Sequence, residues 1–148
     1  MKEASQSIDY VARECLAVRM RLLNRVITKI YDDALRPFGL KISQDNILVI
    51  AGKLGLANPL RICEILHLDP STLSRNVLRM QAKGWLEVVP GDDAREQPFR
   101  ITGRGKALLK QVEPAWKKAQ AQAGEVLGKE GVAFLKKATV RLGMPELA

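Results

Sequence analysis

Two dipeptides, Asn58-Pro59 and Asp69-Pro70, constrain this chain more than any other feature, because each marks a helix start and they lie close together. In each, a side-chain oxygen can accept from the free N–H groups of a first helical turn. Proline, which has no N–H and a fixed φ, fits the first helical position. The helix from Pro59 must therefore end before Asp69, which puts a tight break at His67-Leu68. Ile62, Ile65, Leu66, Leu68, Leu73, Val77 and Met80 are available to lock the two helices together, as in a helix-turn-helix. An ordinary helical hairpin fits this much of the chain equally well.

The residues after the second helix separate these readings. Lys83-Gly84 ends it, and Leu86 to Pro90 reads as a short strand leading into the polar turn Gly91 to Glu96. Pro98 to Ile101 reads as a returning strand, so the pair forms a hairpin attached directly to the helix-turn-helix, which is a wing. Pro98 cannot donate a ladder hydrogen bond and should lie at a sheet edge. Thr102-Gly-Arg-Gly105 leads into a long helix from about Lys106 to Leu127, and a shorter one runs from about Glu130 to Leu142. Pro114 should kink the longer helix.

Upstream, apolar residues spaced by three and four from Ile8 to Leu35 predict one long amphipathic helix, ended by Arg36-Pro37 and Gly39. Its other side carries Arg21, Arg25 and Lys29, which reads as a solvated stripe. A second helix is expected from an N-cap at Ser43 through Ile47, Leu48, Ile50, Ala51 and Leu54 to Gly55. The fold class is mainly α with a small β-hairpin wing. Residues 1–148 form one domain, 43–104 its winged helix-turn-helix region.

The formal net charge of +8 makes a polyanion the first partner to test. The excess is spread along the chain, ten basic against seven acidic residues in 1–68, eight against five in 69–110 and six against four in 111–148, so a positive face must be created by folding. No apolar run is long enough to span a bilayer and the N-terminus has no apolar signal core, so no membrane partner and a cytoplasmic location are expected. Cys15 and Cys63 sit in helical apolar patterns, and with one histidine they make no structural zinc set. No metal or cofactor is expected. The chain has no Gly-rich phosphate loop and no nucleophile motif, which argues against an enzyme.

With Leu73, Val77 and Met80 facing inward, helical geometry turns Ser71, Arg75 and Ala82 outward and flanks them with Thr72 and Arg79. Arg75 can pair with O6 and N7 of guanine, and Ser71, Thr72 and Ser74 suit base edges or phosphates near the helix N-terminus. Arg79 suits phosphate. Leu78 also leans outward, to touch a thymine methyl or to pack beneath the wing. Asp93 and Arg95, at the hairpin turn, are either an exposed ion pair of small energetic value or a minor-groove probe and its orienting partner.

Asp93-Ala-Arg95, then Ile101-Thr102, then Gly105 is similar to the wing pattern of the MarR family of bacterial transcription regulators. Ile62 to Thr72 resembles that family's helix-turn-helix, and Lys83-Gly-Trp-Leu86 its step into the wing. The resemblance covers nearly the whole chain. It implies a homodimer on double-stranded DNA at a pseudo-palindromic operator, with 8–36 and 106–148 as the helical dimerisation region. It also implies that Arg95 probes the minor groove beside Asp93, and it is consistent with Arg100 and Arg104 as phosphate contacts. Relatives are often repressors released by a small aromatic or phenolic ligand bound between the winged and dimerisation regions, where Arg13, Arg19, Tyr31 and Trp116 are the candidates here. Some relatives sense oxidants through a cysteine in the first helix. That position falls on Ala17, which leaves Cys15 better read as a buried thiol than as a redox site. Cys63 is expected to be a buried small side chain and His67 a structural residue of the turn. A sequence-neutral architectural DNA binder is the alternative function.

Overall fold

The computed structural model describes residues 2–92 and 97–144. Helices α1 (Lys2–Glu14) and α2 (Leu16–Leu35) come first, and a 3-10 turn, Arg36–Phe38, closes on Gly39. Helix α3 (Ile42–Leu54) precedes the pair α4 (Pro59–Leu66) and α5 (Pro70–Ala82). Strands β1 (Leu86–Val88) and β2 (Phe99–Ile101) lead to α6 (Gly103–Arg141), which leaves helical geometry at Gly128 (φ 70°, ψ 165°).

The single helix expected over Ile8 to Leu35 is two helices. Cys15 is extended (φ −64°, ψ 109°) and separates them. The apolar spacing runs through both helices unchanged in period, so it carries no sign of one non-helical residue. The carbonyl of Arg13, left without a helical partner at the end of α1, is taken by the Arg19 guanidinium.

Ser43 is not the cap of α3, which starts two residues earlier with Lys41 as N-cap. Its first N–H groups are covered from elsewhere: Gln44 Oε1 accepts from Lys41 N at 3.2 Å and Asp32 Oδ1 from Ile42 N at 2.8 Å. The cap is supplied partly by a residue ten positions away in sequence, which local signals do not show. Gly55 (φ 75°) ends α3 as expected.

The twin starts behave as their chemistry requires. Asn58 Oδ1 accepts from Leu60 N at 2.9 Å and Asp69 Oδ2 from Ser71 N at 3.1 Å, each with proline in the first turn. His67 ends α4 in the left-handed region (φ 50°), which a non-glycine residue adopts only at some cost in strain. Its Nε2 lies 3.0 Å from the carbonyl oxygen of Leu142, so the turn between α4 and α5 touches the end of α6.

The strands are shorter than the sequence suggests, with register Leu86↔Ile101, Glu87↔Arg100 and Val88↔Phe99. Strand β2 is not an edge strand at Phe99, because Ala57 bridges it on its other side through Ala57 N to Phe99 O (2.8 Å) and Phe99 N to Ala57 O (3.0 Å). Pro98 still ends the ladder: its carbonyl accepts from Val89 N at 2.8 Å, and it has no N–H to return.

The last helix starts at Gly103, earlier than Lys106, because Thr102 caps it by accepting from Gly105 N at 3.1 Å. Pro114 leaves the backbone angles helical, and the departure comes at Gly128, inside the expected interval between the two C-terminal helices.

The core lies around α3, whose Ile47, Leu48 and Ala51 are fully buried with Leu35 of α2, Ile62 of α4, Met80 of α5 and Phe99 of β2. Each such aliphatic or aromatic side chain contributes roughly 1.5–3 kcal/mol through burial. Helix α1 and the far end of α6 do not share this core. Ile8, Val11 and Leu16 are more than half exposed, as are Phe134 and Val140.

Candidate nucleic-acid interface

Helix α5 is divided by its packing. Leu73, Val77 and Met80 are buried, which fixes the helix rotation and leaves Ser71, Ser74, Arg75 and Arg79 exposed and Thr72 half-buried. Arg75 Nη2 donates to Thr72 Oγ1 at 3.3 Å, a long bond at the surface that leaves most of the guanidinium free. The Ser71 hydroxyl donates to Asp69 Oδ2, so Ser71 offers a nucleic acid its acceptor lone pairs and not a donor. That hydroxyl, and then the backbone N–H groups of Ser71 and Thr72, hold the Asp69 carboxyl below its usual range. Asp69 therefore remains ionised as a cap at the positive end of the helix.

The base of the hairpin is clasped to the start of α6. Thr102 Oγ1 donates to the Gly84 carbonyl at 2.6 Å while accepting from Gly105 N, and Thr102 N donates to Trp85 O at 3.0 Å. A Cβ at Gly105 would lie 2.3 Å from the Trp85 carbonyl oxygen, so the Ile-Thr-x-x-Gly spacing is a close-approach joint. Lys83 adds a second tie, donating to the Gly39 carbonyl at 2.8 Å with its ammonium 4.6 Å from the Trp85 ring centre.

Arg100, opposite Glu87 in the ladder, forms an exposed ion pair with it, and Arg104 is exposed in the first turn of α6. Asp93 and Arg95 lie outside the described residues. Leu78, 62% exposed, borders a groove of about 220 Å³ with Leu60, Cys63, Val88 and Phe99, which places it beside the wing. Cys63 is half-buried in that groove, and burial, followed by the charge of Asp69, pushes its thiol pKa up. That shift makes it a poor thiolate source.

A second cavity, of about 300 Å³, opens between α2, α3 and α6, lined by Asn24, Ile27, Thr28, Tyr31, Ile42, Asn46 and Trp116. Tyr31 and Trp116 pack at 6.2 Å between ring centres and 44° between planes, and the Tyr31 hydroxyl donates to Gln120. Burial, and then the charge of Asp45, raise the Tyr31 pKa.

A mutant MarR from Escherichia coli, complexed with operator DNA, superimposes on this chain with a TM-score of 0.77 at 20% identity, covering 92% of this chain and 98% of that one. The chain has the MarR fold. The apo form of wild-type MarR from Escherichia coli gives a TM-score of 0.66 at 21% identity over 88% of this chain and 96% of the other. A transcriptional regulator from Pseudomonas aeruginosa gives 0.75 at 21%, covering 87% and 97%. In sequence, the HTH-type transcriptional regulator YwoH of Bacillus subtilis is 27% identical over 88 residues, which is 60% of this chain and 64% of that protein's length. No family model matches the chain.

Within the MarR fold, the residues expected on α5 share one face, and Tyr31 and Trp116 meet at the second cavity. Arg13 and Arg19 do not join them; they bond to each other across the α1–α2 elbow, beside half-buried Cys15. Sequence reading missed Asn24, Thr28 and Asn46. Asn24, Thr28 and Tyr31 do recur at helical spacing, a signal hidden among the polar residues of α2. Among the described residues no helix is long and apolar enough to cross a membrane, and no cluster of His, Cys, Asp or Glu could hold a metal.

Asp45 was also missed. It is 4% exposed on α3, and burial pushes its carboxyl from the usual 3.8 up to about 6. The unfolded chain releases this proton first, so the stability it supports is complete below about pH 4 and is lost as pH rises through about 6. Asp45→Asn should therefore match the parent near pH 4 and exceed it at pH 7, on the order of 1–2 kcal/mol once solvent screening is allowed for. Urea unfolding of both proteins across this range is the measurement, and a difference independent of pH would contradict it.

Proposed function

We propose that this chain is a DNA-binding transcriptional regulator that acts as a homodimer, with α5 in the major groove and the hairpin against the minor groove. The observation that carries this reading is the row Thr72, Ser74, Arg75 and Arg79, held outward by a buried opposite face and set beside a clasped hairpin. The resemblance to a MarR solved on operator DNA supports it, as does the higher TM-score against that form than against the apo form of wild-type MarR. Residues 43–104 would engage DNA, with Arg95 as groove probe, Asp93 as its partner and Arg104 on phosphate. Arg100 would have to exchange Glu87 for a phosphate oxygen.

Residues 8–36 and 106–148 would form the dimer. Exposed Ile8, Val11 and Leu16 and exposed Phe134 and Val140 are apolar faces that a symmetric partner would cover. The cavity at Tyr31 and Trp116 joins the two regions, so a small ligand there would bias the spacing of the two reading helices, lower DNA affinity and release repression.

A titration of palindromic and scrambled duplexes at several salt concentrations tests this function. A regulator prefers the palindrome by orders of magnitude, whereas equal affinities would leave only sequence-neutral binding. Arg104→Ala should weaken both duplexes alike and reduce the slope of log affinity against log salt by about one. An unchanged slope would remove Arg104 from the phosphate contacts.

A further inference from the structure

We propose that the cavity between α2, α3 and α6 takes a planar aromatic cation, such as an aromatic amidine or amine, and that Asp45 sets this preference over aromatic acids. The inference rests on the reading of that cavity as a ligand site.

The lining is aromatic and neutral. Tyr31 and Trp116 present ring surface, Asn24, Thr28 and Asn46 present hydrogen-bonding groups, and none of the lining residues is charged. A volume of about 300 Å³ suits one ring with a small head group. Recognition of an aromatic carboxylate would need a cation or a convergent set of donors at the wall. Arg19 does not supply one; it is bonded to the Arg13 carbonyl at the elbow. Lys29 and Arg36 are paired with Asp33. Arg25 and Lys29 line an adjoining, more open depression on α2 that shares Asn24 and Thr28 with the cavity, and there Asp32 and Asp33 offset their charge.

The charge that does bear on the cavity is negative. Asp45 precedes Asn46 of the wall and acts electrostatically on Tyr31, whose ring lines the cavity. Its burial means that water screens this charge poorly, and at neutral pH the carboxyl, with a pKa of about 6, is ionised. Asp32, which holds Ile42 N at 2.8 Å, adds a second carboxylate at the α2–α3 junction. An anionic ligand meets repulsion here. A cation meets attraction from the carboxylates, the faces of Tyr31 and Trp116, and the carbonyl oxygens of Asn24 and Asn46.

Benzamidine and benzoate share a ring and an outline and carry opposite charges at neutral pH. Both are titrated into the full chain and followed by the component of tryptophan fluorescence that Trp116→Phe abolishes. Benzamidine is expected to bind at least about tenfold more tightly, and Asp45→Asn to bring the two within about threefold. If Asp45→Asn does not fold, Asn46→Asp, at an exposed position, should widen the preference instead. Benzoate binding as tightly as benzamidine through the same signal overturns the charge preference and leaves the ligand site standing. Full preference retained in Asp45→Asn overturns the role of that residue. No Trp116 response to either probe at millimolar concentration overturns the ligand site itself.

Discussion

Gly105→Ala is expected to lower the free energy of unfolding by about 2–4 kcal/mol, whereas Gly103→Ala, in the same turn of α6, should leave it unchanged or raise it by up to about 1 kcal/mol. The added methyl at Gly105 would lie 2.3 Å from the Trp85 carbonyl oxygen and 2.7 Å from Ile101 Cγ1, while nothing lies within 4 Å of the same atom at Gly103. Backbone cannot give way as a flexible side chain can. Relief requires α6 to move off the segment entering β1, which also breaks the Thr102 clasp on Gly84. Chemical denaturation of the two variants measures the contrast, and equal stabilities would show that the joint is not the close approach described. Because that joint aims the hairpin, Gly105→Ala should also weaken DNA binding in protein that remains folded.

Arg75→Ala should cost about 1–3 kcal/mol of binding to a preferred duplex and much less to a scrambled one, so discrimination falls by about tenfold or more. The guanidinium is exposed and its only described bond is the 3.3 Å contact with Thr72 within α5, so the fold should be unaffected. Circular dichroism and the thermal midpoint check that assumption, and competition between duplexes measures the ratio. If the ratio stays at its parental value in a folded variant, α5 does not read bases through Arg75. A uniform loss on both duplexes would instead place Arg75 on phosphate, the role argued for Arg104.

Much of the winged region was legible because its signals are local. A proline and a capping side chain declare a helix start whatever surrounds them, and Asn58 and Asp69 cap α4 and α5 as their types require. The inward set Leu73, Val77 and Met80 followed from helical period alone and is buried. Where a cap comes from a distant residue, as Asp32 does for α3, the same reasoning misplaced the start. Where one residue leaves a helix without changing the apolar period, as Cys15 does, the break left no trace. Of the four residues named for a small-ligand site, Tyr31 and Trp116 meet at one cavity while Arg13 and Arg19 lie at the α1–α2 elbow, and the sequence pattern does not say which way an elbow turns.

The sequence by itself determined the pair of capped helices, the hairpin that follows them and which face of α5 is buried and which exposed. Those depend on period, caps and turn chemistry, which act within a few residues. Only the tertiary structure decided that Gly105 is a close-approach joint, that Ala57 extends the sheet beyond the hairpin, and that Tyr31 and Trp116 meet at one cavity while Arg13 and Arg19 lie at the α1–α2 elbow. Each of these is a relation between segments far apart in the chain, set by how side-chain volumes fill the space around α3, and packing of that kind has no local signature.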